Sequence, residues 1–152
     1  RLAASTKVLG VWDDHDYGQN NGDGRFRLKE EVKAMLLAFL KEPADSVRWT
    51  REGMYASYLL GPPQSQVLVV LLDVRYFAEP PSATADLLGS AQWAWLQRTL
   101  EGTSANVTLL VSGIQVLGDI PVAEKWGKYP ASARRLLHLL SHTTTSGAVL
   151  IS

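Results

Sequence analysis

Gln66-Val-Leu-Val-Val-Leu-Leu-Asp-Val74 is apolar at every position except its first and its eighth. A run of this kind, rich in β-branched valine, reads as a strand covered on both faces and therefore central in a sheet. A second strand-like run, residues 55–60, precedes it across Gly61-Pro-Pro63, a turn signal, so the two are expected to pair as a hairpin. On the N-terminal side, residues 28–41 carry helical periodicity. Leu28, Val32, Leu36, Phe39 and Leu40 fall on one face, Lys29, Glu30 and Lys33 point away, and Pro43 marks the end. Further along, residues 90–100 form a second helix with Trp93, Leu96 and Leu100 on a shared face and Gly102 at its close. Residues 106–112 return as a buried strand, Pro130 opens a third helix to about Ser141, and residues 148–151 are the last strand. Lys7-Val-Leu-Gly-Val-Trp12 reads as one more buried strand, running out at Asp13. Strands alternating with helices in this order predict an α/β fold, a mixed β-sheet flanked by helices in layers.

The composition agrees with one globular unit. The chain has 152 residues, 46% hydrophobic and 20% charged, enough for a sizeable core. Fifteen basic residues balance fifteen acidic ones, so no electrostatic footprint of a stable nucleic-acid partner or polybasic membrane anchor is present. Its apolar runs are too short for a membrane span. With no cysteine, disulfides and thiolate ligands are excluded within the segment, and the compartment stays open.

Chemistry concentrates where the first strand-like run ends. Val11-Trp-Asp-Asp-His-Asp-Tyr-Gly-Gln-Asn-Asn-Gly-Asp23 crowds four carboxylates and an imidazole among carboxamides. Ligands of open α/β sheets bind outside the carboxyl ends of strands, so the position fits a site. Asp13, Asp14 and Asp16 around His15 repel one another unless a cation joins them, and a divalent or trivalent metal is the natural counter-charge. The bland reading is a loop whose aspartates cap backbone amides. Arg75, at the end of the central run, offers a planar fork suited to phosphate oxygens, and equally to an ion pair with Asp73 or another loop carboxylate. Gln115 and the Ser112-Gly113 turn end another strand on the same side, where a packed turn is the simpler reading.

The block Trp12-Asp-Asp-His-Asp-Tyr-Gly18 resembles the signature of the PhoD-like (alkaline phosphatase D) metallophosphoesterases. Further matching blocks follow in order: Leu72-Asp-Val-Arg-Tyr-Phe77, Leu88-Gly-Ser-Ala-Gln-Trp-Ala-Trp-Leu96, Ser112-Gly-Ile-Gln-Val-Leu117, Glu124-Lys-Trp126 and Tyr129-Pro130. The resemblance implies a metallophosphoesterase-like layered sandwich and hydrolysis of phosphate esters, monoesters or diesters. It implies two or more metal ions, with iron and calcium the expected pair. Asp14 would be a metal ligand with Asp13 beside it, and His15 would protonate the leaving alkoxide or steady the phosphoryl oxygens. Asp16 would orient the His15 ring. Arg75 and Asn21 are the substrate-binding candidates, with Asn20 an alternative oxygen donor. The resemblance also allows a secreted protein.

The metal-binding segments that the family places before and after this region have no match in the 152 residues. The expectation is therefore the central segment of a larger catalytic domain, incomplete in this chain and inactive alone, since a two-metal site draws ligands from several strand ends. The alternative is a non-catalytic domain that keeps the fold. Two local patterns compete with this reading. Residues 19–30 approximate a calcium-binding loop with Asn21, Asp23, Gly24 and Glu30 at loop positions, though Gln19 stands where Asp belongs; an incoming helix would support it and an extended one would end it. His138-Leu-Leu-Ser-His142 has the spacing of zinc peptidases without their adjacent glutamate, so both histidines read as ordinary helix residues.

Overall fold

The computed structural model describes residues 6–118, 121, 123–143 and 147–152. Its centre is one mixed sheet in the order β1-β2-β3-β4: β1 is Ala56–Leu60, β2 Val67–Leu72, β3 Val107–Ser112 and β4 Ala148–Ile151. The hairpin forms as expected, with Ala56 opposite Leu71 and Leu60 opposite Val67 in antiparallel register. The pairs β2 with β3 and β3 with β4 are parallel. Parallel neighbours need a crossover, and helices supply both. Numbering the helices along the chain, α1 is Asp14–Tyr17, α2 Lys29–Phe39, α3 Gly89–Glu101 and α4 Pro130–His142. Crossover α3 joins β2 to β3, and α4 joins β3 to β4.

Both crossover helices lie against the same sheet face. Leu68, Val70 and Leu72 of β2 and Leu110 of β3 meet Trp93, Leu96 and Leu100 of α3 and Leu136 of α4 in the larger core. Full burial of each such side chain is worth about 1.5–3 kcal/mol. A smaller cluster gathers Trp12, Tyr17, Leu37, Met54 and Tyr76, with Val32 and Leu36 of α2 packed on it. Among the described residues no helix is long and apolar enough to cross a membrane.

Two expectations are corrected. Residues 7–12 form neither helix nor strand and join no sheet, and Val8 is exposed. The Gly10 carbonyl, which a strand would give to a ladder, instead accepts from Arg48 Nη2 at 2.8 Å. Arg48 is itself buried and also bonds Glu42 and the Tyr58 hydroxyl, tying the segment to β1 through one side chain. The second correction concerns α2, whose inward face is rotated from the one its apolar residues predict. Leu28 and Phe39 are exposed, whereas Lys33 is only 4% exposed. The Lys33 stem packs inward while its ammonium donates to the Arg51 carbonyl at 2.8 Å and pairs with Glu30 at 2.8 Å. Lys29 donates to the carbonyls of Gly24 and Tyr76 and stands 4.0 Å over the Tyr76 ring. The helix is therefore fastened by its cations to the segment that follows β2.

That attachment matters because β2, β3 and β4 all run in one direction. The residues after them, Asp73 to Tyr76, Gly113 to Gln115 and Ser152, emerge at one end of the sheet.

Candidate functional site

The site rests on a buried carboxylate. Asp73 leaves β2 fully enclosed, and its Oδ1 accepts from Trp12 Nε1 at 2.8 Å and from the amides of Arg75 and Tyr76, each at 2.9 Å. Its Oδ2 accepts from the Met54 amide at 2.7 Å. The Asp73 backbone is held from α3, where Gln92 accepts from its amide at 2.9 Å and donates to its carbonyl at 2.8 Å. One side chain thus brings the residue preceding the acidic stretch, the start of the hairpin and the turn after β2 to a common point. Gly113 completes the approach: a Cβ there would meet the Trp12 carbonyl oxygen at 2.7 Å, so the turn after β3 abuts Trp12 only as glycine.

Above this scaffold lies an open cleft lined by Asp13, Asp14, Asn20, Asn21, Gln115 and Glu124, with Ser152 at its edge. Arg75 lies behind one wall, bonded to the lining carboxylates of Asp13 and Glu124. Its guanidinium is 2% exposed, grips Glu124 through two bonds of 2.9 and 2.6 Å, reaches Asp13 Oδ1 and donates to the Gly22 carbonyl at 3.3 Å. Burial disfavours the charge, and the bonds to Glu124 and Asp13 outweigh it, so the guanidinium pKa is raised. Of the two roles open to Arg75 in the sequence, the structure shows the ion pair, made with Asp13 and Glu124 and not with the Asp73 side chain.

The acidic stretch itself folds into the single turn α1, closed by Gly18 at a φ of 100°, in the left-handed region suited to glycine. Asp16 caps this turn by accepting from the Asp13 amide at 3.4 Å. Its expected role of orienting His15 is therefore corrected: the imidazole Nε2 lies 3.3 Å from Asn20 Oδ1 and 3.9 Å from Asp14 Oδ2. His15 is 83% exposed and Asp14 17%. Asp14 Oδ1 accepts from the His15 amide at 2.8 Å and its Oδ2 from the Asn21 amide at 3.1 Å. Asn21 adopts a φ of 52°, which presents that amide to the carboxylate.

Burial pushes the Asp14 carboxyl up, but the amides of Asn21 and His15 together with the Arg75 charge outweigh it and hold it below the ordinary carboxylate range. A carboxyl depressed by folding contributes stability that is present above its unfolded pKa, about 4, and is lost as pH falls through the folded value. Asp14→Asn is therefore expected to reduce the loss of stability below about pH 4. Urea midpoints of both proteins at pH 6 and pH 3 check it. Equal losses would mean that Asp14 carries none of the acid sensitivity.

Asp13, Asp14, His15, Asn21 and Arg75 lie near one another, and Glu124, the partner of Arg75, was not singled out by the sequence reading. Nothing local signals that pair, which spans forty-nine residues of sequence. The segment before Gln19 is helical only for the four residues of α1, a single turn and not the full incoming helix that a calcium-binding hand needs. In addition, Asp23 is engaged by Arg25 at 2.7 Å and Glu30 by Lys33 and Tyr76. Among the described residues no group of three His, Asp or Glu side chains is placed to hold a metal ion. With Asp13 taken by Arg75 and both Asp14 oxygens already accepting amides, these residues do not fit a metal by themselves.

No family model matches the chain, and no curated protein does. Among solved structures, the chain is similar to one described as "Structure of PhoD", with a TM-score of 0.66 and 18% sequence identity over 92% of this chain. It spans 33% of that chain. The likeness is one of fold: a mixed four-stranded sheet with flanking helices, an α/β arrangement similar to that of PhoD.

Proposed function

We propose that these residues are the central segment of a phosphoric ester hydrolase domain of PhoD-like type, and that the activity belongs to a longer protein. The observation that carries this reading is the meeting of Asp14, His15 and Asn20 at the carboxyl ends of three parallel strands, in a chain whose fold is similar to PhoD. In hydrolysis, water attacks phosphorus, the bond to the ester oxygen breaks, and the departing alkoxide needs a proton. His15 is exposed beside the cleft, and its Nε2, set against the cleft-lining Asn20, is the group able to deliver that proton or to steady a phosphoryl oxygen. Asp14 would lend a carboxylate to a metal centre completed by further segments, and iron or calcium held there would supply polarising positive charge. Arg75 acts from behind, holding Asp13 and Glu124 in the wall, and touches substrate only if it leaves them. Asn21 serves Asp14 through its backbone, which leaves its carboxamide as the substrate-facing candidate.

The ligand shortage among the described residues favours a second reading, a domain that keeps the fold without catalysis. Hydrolysis of an aryl phosphomonoester and an aryl phosphodiester, with iron plus calcium, separates the two. The chain of 152 residues and a version extended at both ends are compared. Activity in the extended form alone is expected. Activity in neither supports the non-catalytic reading, and activity in the short chain overturns the segment proposal.

A further inference from the structure

Two of the chain's three histidines take no part in the cleft. His138 and His142 stand one turn apart near the C-terminal end of α4, both exposed, with ring centroids 4.0 Å apart and 15° between their planes. Nδ1 of His142 lies 2.8 Å from the His138 carbonyl oxygen and 2.9 Å from Ser141 Oγ. A carbonyl oxygen can only accept, so Nδ1 carries the proton of the neutral ring and Nε2 keeps its lone pair. A carbonyl behind one ring nitrogen is how metal-binding imidazoles are commonly oriented.

We propose that His138 and His142 form a two-histidine binding site for a transition-metal dication that prefers imidazole, of the Zn²⁺, Ni²⁺ and Cu²⁺ class. Bond lengths of about 2.0–2.1 Å in tetrahedral geometry place two ligand nitrogens about 3.3–3.4 Å apart. With their planes only 15° apart, the two rings do not aim their lone pairs at one point as they stand, so binding turns them about χ1 and χ2. The i,i+4 placement on one helical face is the spacing from which two imidazoles reach one zinc. The same surface pocket is lined by Gln97 and Glu101 of α3, by Arg135 and by Thr143, so side-chain oxygens lie near the two rings. Among the described residues no third imidazole or carboxylate completes a closed site, which makes this an open, exchangeable one. Calcium and magnesium, which require oxygen ligands, are not its ions. Holding both ligands on successive turns makes the second bond intramolecular, and on the order of a hundredfold gain over either histidine alone follows.

The site is independent of the proposed hydrolytic cleft and is tested on the chain of 152 residues. Calorimetric titration with Zn²⁺ is expected to give one saturable ion per chain, bound on the order of a hundredfold more tightly than by a single histidine. His138→Ala or His142→Ala should each weaken it about a hundredfold. Alanine is the better helix former at exposed helix positions, so both variants keep α4, as circular dichroism checks. Paramagnetic Ni²⁺ should broaden the imidazole resonances of His138 and His142 and spare those of His15. Zinc affinity that survives both substitutions, broadening centred on His15, or no binding below millimolar zinc overturns the proposal.

Discussion

Asp73→Ala should cost about 4 kcal/mol or more, a large share of the stability of a domain this size. The expected fall in Tm is roughly 8–16 °C. Four buried N–H groups converge on the Asp73 carboxylate, from Trp12, Met54, Arg75 and Tyr76, and alanine offers none of them an acceptor. Each buried donor left unpaired forfeits about 1–3 kcal/mol, and relaxation around the smaller side chain recovers only part. Asp73→Asn is expected to lose about half as much, roughly 2 kcal/mol. An asparagine can keep its oxygen toward Trp12, Arg75 and Tyr76, but its amide group then faces the Met54 N–H, donor against donor. The graded order, wild type above Asn above Ala, is the signature of an acceptor role, whereas a pure packing role would leave Asn nearly unchanged. Urea unfolding of the three proteins measures it. A cost below about 1 kcal/mol for Asp73→Ala would remove Asp73 from its place as the junction of the site.

Arg75→Ala carries the second large effect. Removing a buried cation leaves Asp13 and Glu124 facing each other without a counter-charge, and breaking a buried pair typically costs about 3–5 kcal/mol. Asp13 is nearly half exposed and Glu124 about a quarter, so solvent screens part of that, and about 2–3 kcal/mol is expected. Arg75→Lys keeps the charge and loses the fork that holds both Glu124 oxygens, so it should recover less than half of the loss. Glu124→Gln in the Arg75→Ala background removes the stranded charge. The double-mutant cycle should give a coupling of about 1–3 kcal/mol, and additive costs would show that the ion pair seen in the cleft wall contributes no stability.

Much of the fold was legible because burial and periodicity agree there. Residues 67–72 are apolar at every position and lie inside the sheet, and Trp93, Leu96 and Leu100 share the face of α3 that reaches the core. The places that misled are those where a side chain does the work of backbone or of apolar surface. Residues 7–12 have strand composition, yet a strand is defined by its partner, and here the buried Arg48 fills the place of a ladder. Lys33 counts as polar in any periodicity, although its four-carbon stem and two nearby oxygens let it replace Phe39 on the inner face of α2. Around the cleft, the clustering of Asp13, Asp14 and His15 was readable from their crowding in the sequence. Their division of labour was not, because it depends on which amide or carboxamide each meets: Asp16 caps a helix turn while Asn20 faces the imidazole.

The proposed function has Asp14 and His15 carry phosphate ester hydrolysis in a cleft built on Asp73 and Arg75. The measurement that reaches it most directly is kcat/KM for an aryl phosphate ester in the extended protein, wild type against Asp14→Ala and His15→Ala, with the unfolding midpoint of each recorded alongside. For His15→Ala the account predicts a fall of about 10²–10⁴ with the midpoint unchanged, since that side chain is exposed and supports no core. Asp14→Ala should abolish turnover with at most a modest loss of stability. An extended protein that hydrolyses the ester equally well without either side chain would contradict the account.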